Sequence, residues 1–84
     1  MGAKNKVIAG DYLGAFVTST SGSVGITSTT AYQPVTKAMV AEHDLSYGET
    51  SKGIHIVSLT FRNGRKSLLE VDDRIYRDLL TSLF

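Results

Sequence analysis

The chain has 84 residues, 42% of them hydrophobic and 20% charged, the make-up of one small globular domain spanning residues 1–84. A chain of this length buries only about 60–65% of its unfolded surface, which leaves one core and excludes a second domain or a deep internal active site. Nine Lys and Arg against eight Asp and Glu give a formal net charge of +1, without the basic surplus that bulk nucleic-acid or anionic-membrane binding uses, and the lack of cysteine excludes disulfides, thiol nucleophiles and cysteine-based zinc sites.

A cysteine-free chain suits a reducing compartment, and cytoplasmic placement is the expectation. Asp11 interrupts the short apolar run after Lys4 and Lys6 before a signal-peptide core can form. Lys6 also stands where the myristoylation pattern of Gly2 needs Ser or Thr, and no apolar run approaches a membrane span, so no membrane insertion is expected.

The first half reads as strands, because its apolar residues are mostly β-branched or aromatic and Gly, Ser and Thr interrupt every run. A first strand is expected over 7–9 and a second over 12–18, with Gly14 as a bulge or a close backbone approach. Nine of the thirteen residues from Thr18 to Thr30 are Ser or Thr. Ser21-Gly22 is nonetheless a turn signal, and Val24 and Ile26 alternate with small polar residues, so the stretch reads as a paired edge ribbon. Pro34 cannot donate to a ladder, which confines 31–35 to an edge strand or a loop. Residues 38–47 fit a strand whose apolar face is Met39, Ala41, His43, Leu45 and Tyr47, although Met39, Val40, His43 and Tyr47 would also cluster on a helix.

Residues 54–71 carry two alternating runs around Asn63-Gly64, the strongest short-range hairpin cue. A two-residue loop would oppose Arg62 to Arg65 and bring Glu70 onto the apolar face. A three-residue loop, Arg62-Asn63-Gly64 with Gly64 left-handed, instead groups Val57, Leu59 and Phe61 with Leu69 and Val71, and it is the register expected. Residues 72–83 form the C-terminal helix. Asp72 is the N-cap, Val71 is placed to staple onto Tyr76, and Ile75, Tyr76, Leu79, Leu80 and Leu83 make one apolar stripe that lies over a sheet.

Chemistry-bearing patterns are few. His43 lies between Glu42 and Asp44, but neighbours on a strand point to opposite faces and cannot converge on one ion, while His55 reads as an exposed strand-end residue. No serine or threonine sits in a nucleophile elbow, and Gly10, Gly14, Gly22 and Gly25 lack the Lys-Ser/Thr and following helix of a phosphate loop. The chain therefore reads as noncatalytic, with no cofactor and no metal. The candidate binding residues are Arg62, Arg65 and Lys66 at the hairpin tip, a cluster able to hold a phosphate or an acidic side chain, with Lys4 and Lys6 as further members. Tyr12, Tyr32 and Tyr47 are the aromatic recognition candidates.

Two stretches, 5–12 and 57–76, resemble a group of small uncharacterised proteins of Gram-positive bacteria and their mobile elements. In that group an Ile-Ala-Gly-Asp-Tyr-like opening accompanies a closing Phe-x-Asp/Asn-Gly-Lys-Lys-Ser-Leu-like hairpin and helix; the match covers about a third of the chain. The resemblance implies a glycine-rich apolar insertion ahead of the final hairpin in many members, where this chain has the short polar loop 48–53 and so lacks any membrane association such an insertion serves. The layout also looks like a pleckstrin-homology or GRAM-like barrel, a likeness of fold alone.

The expected fold is α+β, a curved antiparallel sheet or partial barrel of about six strands capped by the helix 72–83. The expected function is a noncatalytic protein-interaction module, in one version a mobile-element-encoded inhibitor or regulator of a host protein, with an open edge or hairpin tip as its contact and the Ser/Thr ribbon able to pair with a second copy as a homodimer. The alternative is an anion- or nucleic-acid-binding domain built on Arg62, Arg65 and Lys66.

Overall fold

A computed structural model describes residues 5–45, 49–51 and 53–84, with backbone only for 49–51. Lys4 and Tyr47 lie outside the described residues. The elements follow as β1 Lys6–Gly10, β2 Phe16–Thr20, β3 Ser23–Thr27, β4 Tyr32–Val35, β5 Val40–Asp44, β6 Glu49–Ser51, β7 Ile54–Phe61, β8 Lys66–Asp72 and α1 Asp73–Leu83. All described strand pairs are antiparallel, in the order β4-β3-β2-β1-β8-β7-β5, with β6 pairing a further part of β7.

The connectivity explains the curl. The two outermost strands, β4 and β5, are consecutive in the chain and separated by residues 36–39 alone, a span of at most roughly 17 Å. A flat seven-strand sheet would hold its edges about 29 Å apart at strand spacing. The sheet therefore bends into a half-barrel, and the 36–39 turn is fastened by Met39 and Val40 amides donating to Thr36 O, both at 3.0 Å.

The hairpin β7–β8 has the three-residue loop. Phe61 N donates to Arg65 O at 2.8 Å, Gly64 N donates to Phe61 O at 2.9 Å, and Gly64 holds φ +89°. Its inward residues Val57, Leu59, Phe61, Leu69 and Val71 are each at most 1% exposed, because this register alone keeps the apolar set on one face. Asp72 caps α1, accepting from Ile75 N at 2.9 Å, and Ile75, Leu79 and Leu83 enter the core with Tyr76 and Leu80 packed beside them. The helix packs against β2, β3, β4, β7 and β8, filling the concave side of the sheet.

Several expectations are corrected. The strands number eight among the described residues against about six expected, and one of the additional ones is β6, which lies in the polar stretch read as the loop 48–53 and pairs with β7 through Glu49↔His55. Tyr12 to Gly14 is turn rather than strand, with Gly14 at φ +88°, and β2 begins only at Phe16. The Ser/Thr stretch is a paired ribbon, turning at Ser21 and Gly22 with φ +53° and +80°, yet it is no edge. The proline-bearing β4 covers β3 and takes the edge itself. Residues 40–44 are a strand, but a bulge between Val40 and Glu42 breaks its alternation. Val40 and Leu45 are buried while Ala41 and Met39 are exposed, so the expected apolar face does not form.

Candidate interaction surface

α1 starts from the end of β8 and reaches the Ser21-Gly22 turn through Ser82 Oγ, 3.5 Å from Gly22 O. The other ends of these same strands gather the loops 11–15, 28–31 and 62–65 away from the helix. Two adjoining open depressions lie among them, of about 430 and 480 Å³. Leu13, Ala15 and Ser28 line both. Ala15 is their buried floor at 4% exposure, whereas Leu13, Phe16 and Tyr32 stand at 67, 58 and 61%.

Each wall is fixed by hydrogen bonds. Ser28 Oγ accepts from the amides of Thr30 and Ala31 at 3.4 and 3.0 Å, and Ser28 N donates to Ala31 O at 2.9 Å, which locks the β3–β4 loop. In the β1–β2 loop, Ala15 N donates to Tyr12 O and Gly14 N to Val7 O. Register places Phe16, Thr27 and Tyr32 side by side across β2, β3 and β4, so the two exposed aromatics share one face. The Tyr32 ring lies over Gly25, where an added Cβ would stand 2.5 Å from the ring.

Beneath this surface Tyr12 sets its ring edge-on to Phe61 at 5.9 Å and donates its hydroxyl to Gln33 Oε1 at 2.9 Å. Gln33 is 5% exposed and uses its other end as well, Nε2 donating to Pro34 O at 3.0 Å. The loops are therefore held from below by a satisfied buried amide.

The three cations of the hairpin tip share one turn but face different neighbours. Arg62 Nε donates to Ala38 O at 2.8 Å, on the β4–β5 side. Arg65 Cζ sits 5.8 Å above the Tyr12 ring and lines the first depression. Lys66 is exposed, and its backbone amide donates to Asp11 Oδ2 at 2.8 Å. Lys6 lies on β1 opposite Phe16 and Glu70. Of the tyrosines, Tyr32 is exposed as a recognition residue would be, while Tyr12 is partly buried. Sequence reasoning did not single out Leu13 or Phe16. The usable signal was Gly10-Asp11 with Gly14, a pair of turn cues that would have lifted Leu13 out of the strand.

The histidines go elsewhere. His55 is not an exposed strand end: its side chain is 12% exposed, stacks on Tyr76 at 4.0 Å and 9°, and places Nε2 3.3 Å from Asp73 Oδ1. His43 meets Phe84 edge-on at 4.8 Å. Among the described residues no three His, Cys, Asp or Glu side chains gather as metal ligands, and no helix is long and apolar enough to cross a membrane. Comparisons with protein-family models, with curated proteins and with solved structures return no match.

Proposed function

We propose that the chain is a noncatalytic protein-interaction module of the cytoplasm that receives a protein partner on the Leu13, Phe16 and Tyr32 surface, consistent with an inhibitor or regulator carried by a mobile element. The observation that carries this reading is the exposure of three large apolar side chains at one end of the sheet, Leu13 on a hydrogen-bonded loop and Phe16 at the start of β2 lining an open groove, with Tyr32 at the start of β4 on the same face as Phe16. Scattered exposed apolar residues need no explanation, whereas clustered ones beside a groove mark contact surfaces.

The edges are poorer docking sites. On β4, Pro34 has no N–H and its carbonyl is taken by Gln33 Nε2. On β5, a second copy pairing antiparallel about His43 would set exposed Glu42 against Asp44 of the other copy, carboxylate against carboxylate. A homodimer therefore gains little from either edge. The anion-binding alternative needs Arg62, Arg65 and Lys66 to converge, and the contacts of Arg62 with Ala38 and of Arg65 with Tyr12 draw two of them apart.

The test places a photo-crosslinking amino acid at Phe16 and, as control, at Arg74 on α1, in extract of a Gram-positive cell with and without nuclease treatment. A discrete protein adduct at position 16 alone is expected, competed by unlabelled chain and not by a Leu13→Ser/Phe16→Ser variant. Adducts that need nucleic acid and vanish with Arg62→Ala/Arg65→Ala/Lys66→Ala would overturn the reading in favour of anion binding.

A further inference from the structure

Building on that reading, we infer that the groove takes a short exposed protein segment in which an apolar side chain is flanked by a carboxylate, the apolar group entering between Leu13 and Thr29 and the carboxylate meeting Arg65. Charge complementarity carries the choice of occupant. The groove has one cationic side chain on its lining, Arg65, and one anionic, Asp11. Asp11 is held toward the hairpin, its Oδ2 accepting from the Lys66 amide. Arg65 meets no carboxylate among the described residues; its contact is the ring of Tyr12. A guanidinium in a cation–π contact keeps its fork of N–H donors for a carboxylate.

Size points to a segment rather than a whole face. At about 200 Å² for a complete aromatic side chain, the exposed parts of Leu13, Phe16 and Tyr32 offer roughly 350 Å². A stable dimer needs about 800 Å² from each partner. The apolar depression, about 480 Å³ and walled by Leu13, Phe16, Thr27 and Thr29, suits one large side chain. A lipid surface fits less well, because it rewards several cations facing one way, and Arg62 is turned to Ala38 while Asp11 stands on the same rim.

The experiment follows amide and methyl resonances of the full chain during titration with the blocked peptide Gly-Ser-Glu-Leu-Phe-Glu-Ser-Gly. Two control peptides carry Lys for both Glu, or Ser for Leu and Phe. Saturable shifts at Leu13, Ala15 and Thr29 are expected, with a dissociation constant on the order of 0.1–1 mM, as befits a small contact. Both controls should bind at least about tenfold more weakly, the Lys peptide through loss of the ionic contact and the Ser peptide through loss of the buried apolar group. Arg65→Glu should reverse the charge preference and favour the Lys peptide, an outcome that structural damage would not produce. Absence of shifts at these residues, or an unchanged preference in Arg65→Glu, overturns the inference, as does co-sedimentation with phosphatidylserine vesicles that Leu13→Ser abolishes. A protein crosslinked at Phe16 whose capture is indifferent to Arg65→Glu would sink this inference while leaving the interaction module standing.

Discussion

Tyr12 and Gln33 meet beneath the groove, the tyrosine hydroxyl donating to the buried amide oxygen at 2.9 Å. Gln33 Oε1 also faces Asn63 Nδ2 at 3.5 Å, so one side chain of β4 ties together the β1–β2 loop, its own edge strand and the β7–β8 tip. At this end of the half-barrel the polar contact acts beside the Tyr12–Phe61 ring contact and the buried Ala15.

Removing the amide should cost more than removing the hydroxyl. Gln33→Leu leaves the Tyr12 hydroxyl without its acceptor and is expected to lower stability by about 2–3 kcal/mol, against about 1 kcal/mol for Tyr12→Phe. Urea unfolding measures both. The double variant should lose less than the two single effects added; full additivity would mean that the two residues do not act through this bond.

Asp72 gives a second prediction. Its carboxylate accepts from Ile75 N at 2.9 Å and from Asn5 Nδ2 at 3.0 Å, while Asn5 Oδ1 accepts from Asp72 N at 2.8 Å. Asp72→Ala therefore removes the helix cap and a tie to the start of β1, an expected loss of about 1–2 kcal/mol. Asp72→Asn keeps a capping oxygen but sets its amide nitrogen against Asn5 Nδ2, so it should lose less than Asp72→Ala, about 0.5–1 kcal/mol in thermal unfolding. Equal losses in both variants would place the effect outside the cap.

These contrasts mark what the sequence made legible. The cap and the bulged hairpin were readable because their determinants lie within a few residues of one another: Asp72 and Ile75, or Phe61, Gly64 and Arg65. The curled antiparallel sheet with its terminal helix followed from the same local cues. Closure was not readable. The pairing of β1 with β8 joins Lys6 to Glu70, and the order that makes β4 rather than the Ser/Thr ribbon an edge is a property of the whole sheet. The bulge after Val40 reversed a face that simple alternation had assigned, and β6 hid in a polar stretch. Within the candidate surface, Tyr32 and Arg65 were visible as residue types. Leu13 and Phe16 were not, because an exposed Leu or Phe looks the same in a sequence as a buried one.

Gly10 and Gly64 separate two reasons for a glycine. Both hold φ near +90 to +100°, at +101° and +89°. A Cβ at Gly64 would meet nothing within 4 Å, whereas one at Gly10 would stand 2.2 Å from Lys66 O and 2.9 Å from the Ser67 Cα. Gly64→Ala should thus cost only backbone strain, about 1–2 kcal/mol, and Gly10→Ala more, because β1 must also move off β8. Hydrogen exchange across the β1–β8 ladder should rise in the Gly10 variant alone; equal rises in both would contradict the close approach.

Ser67 leads to the least intuitive expectation, a gain in stability on removing a hydrogen-bonding group. It lies on β8 opposite both Leu59 and Gly10, is 3% exposed, and its Oγ is buried without a hydrogen-bond partner. A buried hydroxyl that surrenders water and gains nothing costs about 1–3 kcal/mol. What the position demands is small volume, since β1 passes so near that Gly10 cannot carry a Cβ, and alanine meets that demand equally. The void left by one oxygen is smaller than a methyl group, so its own cost is slight. Ser67→Ala should raise stability by about 0.5–1.5 kcal/mol, seen as a higher urea midpoint at an unchanged slope. A lower midpoint would mean that an internal water satisfies the hydroxyl, and the space between β1 and β8 at this point would then be part of the hydrated core rather than a dry seam.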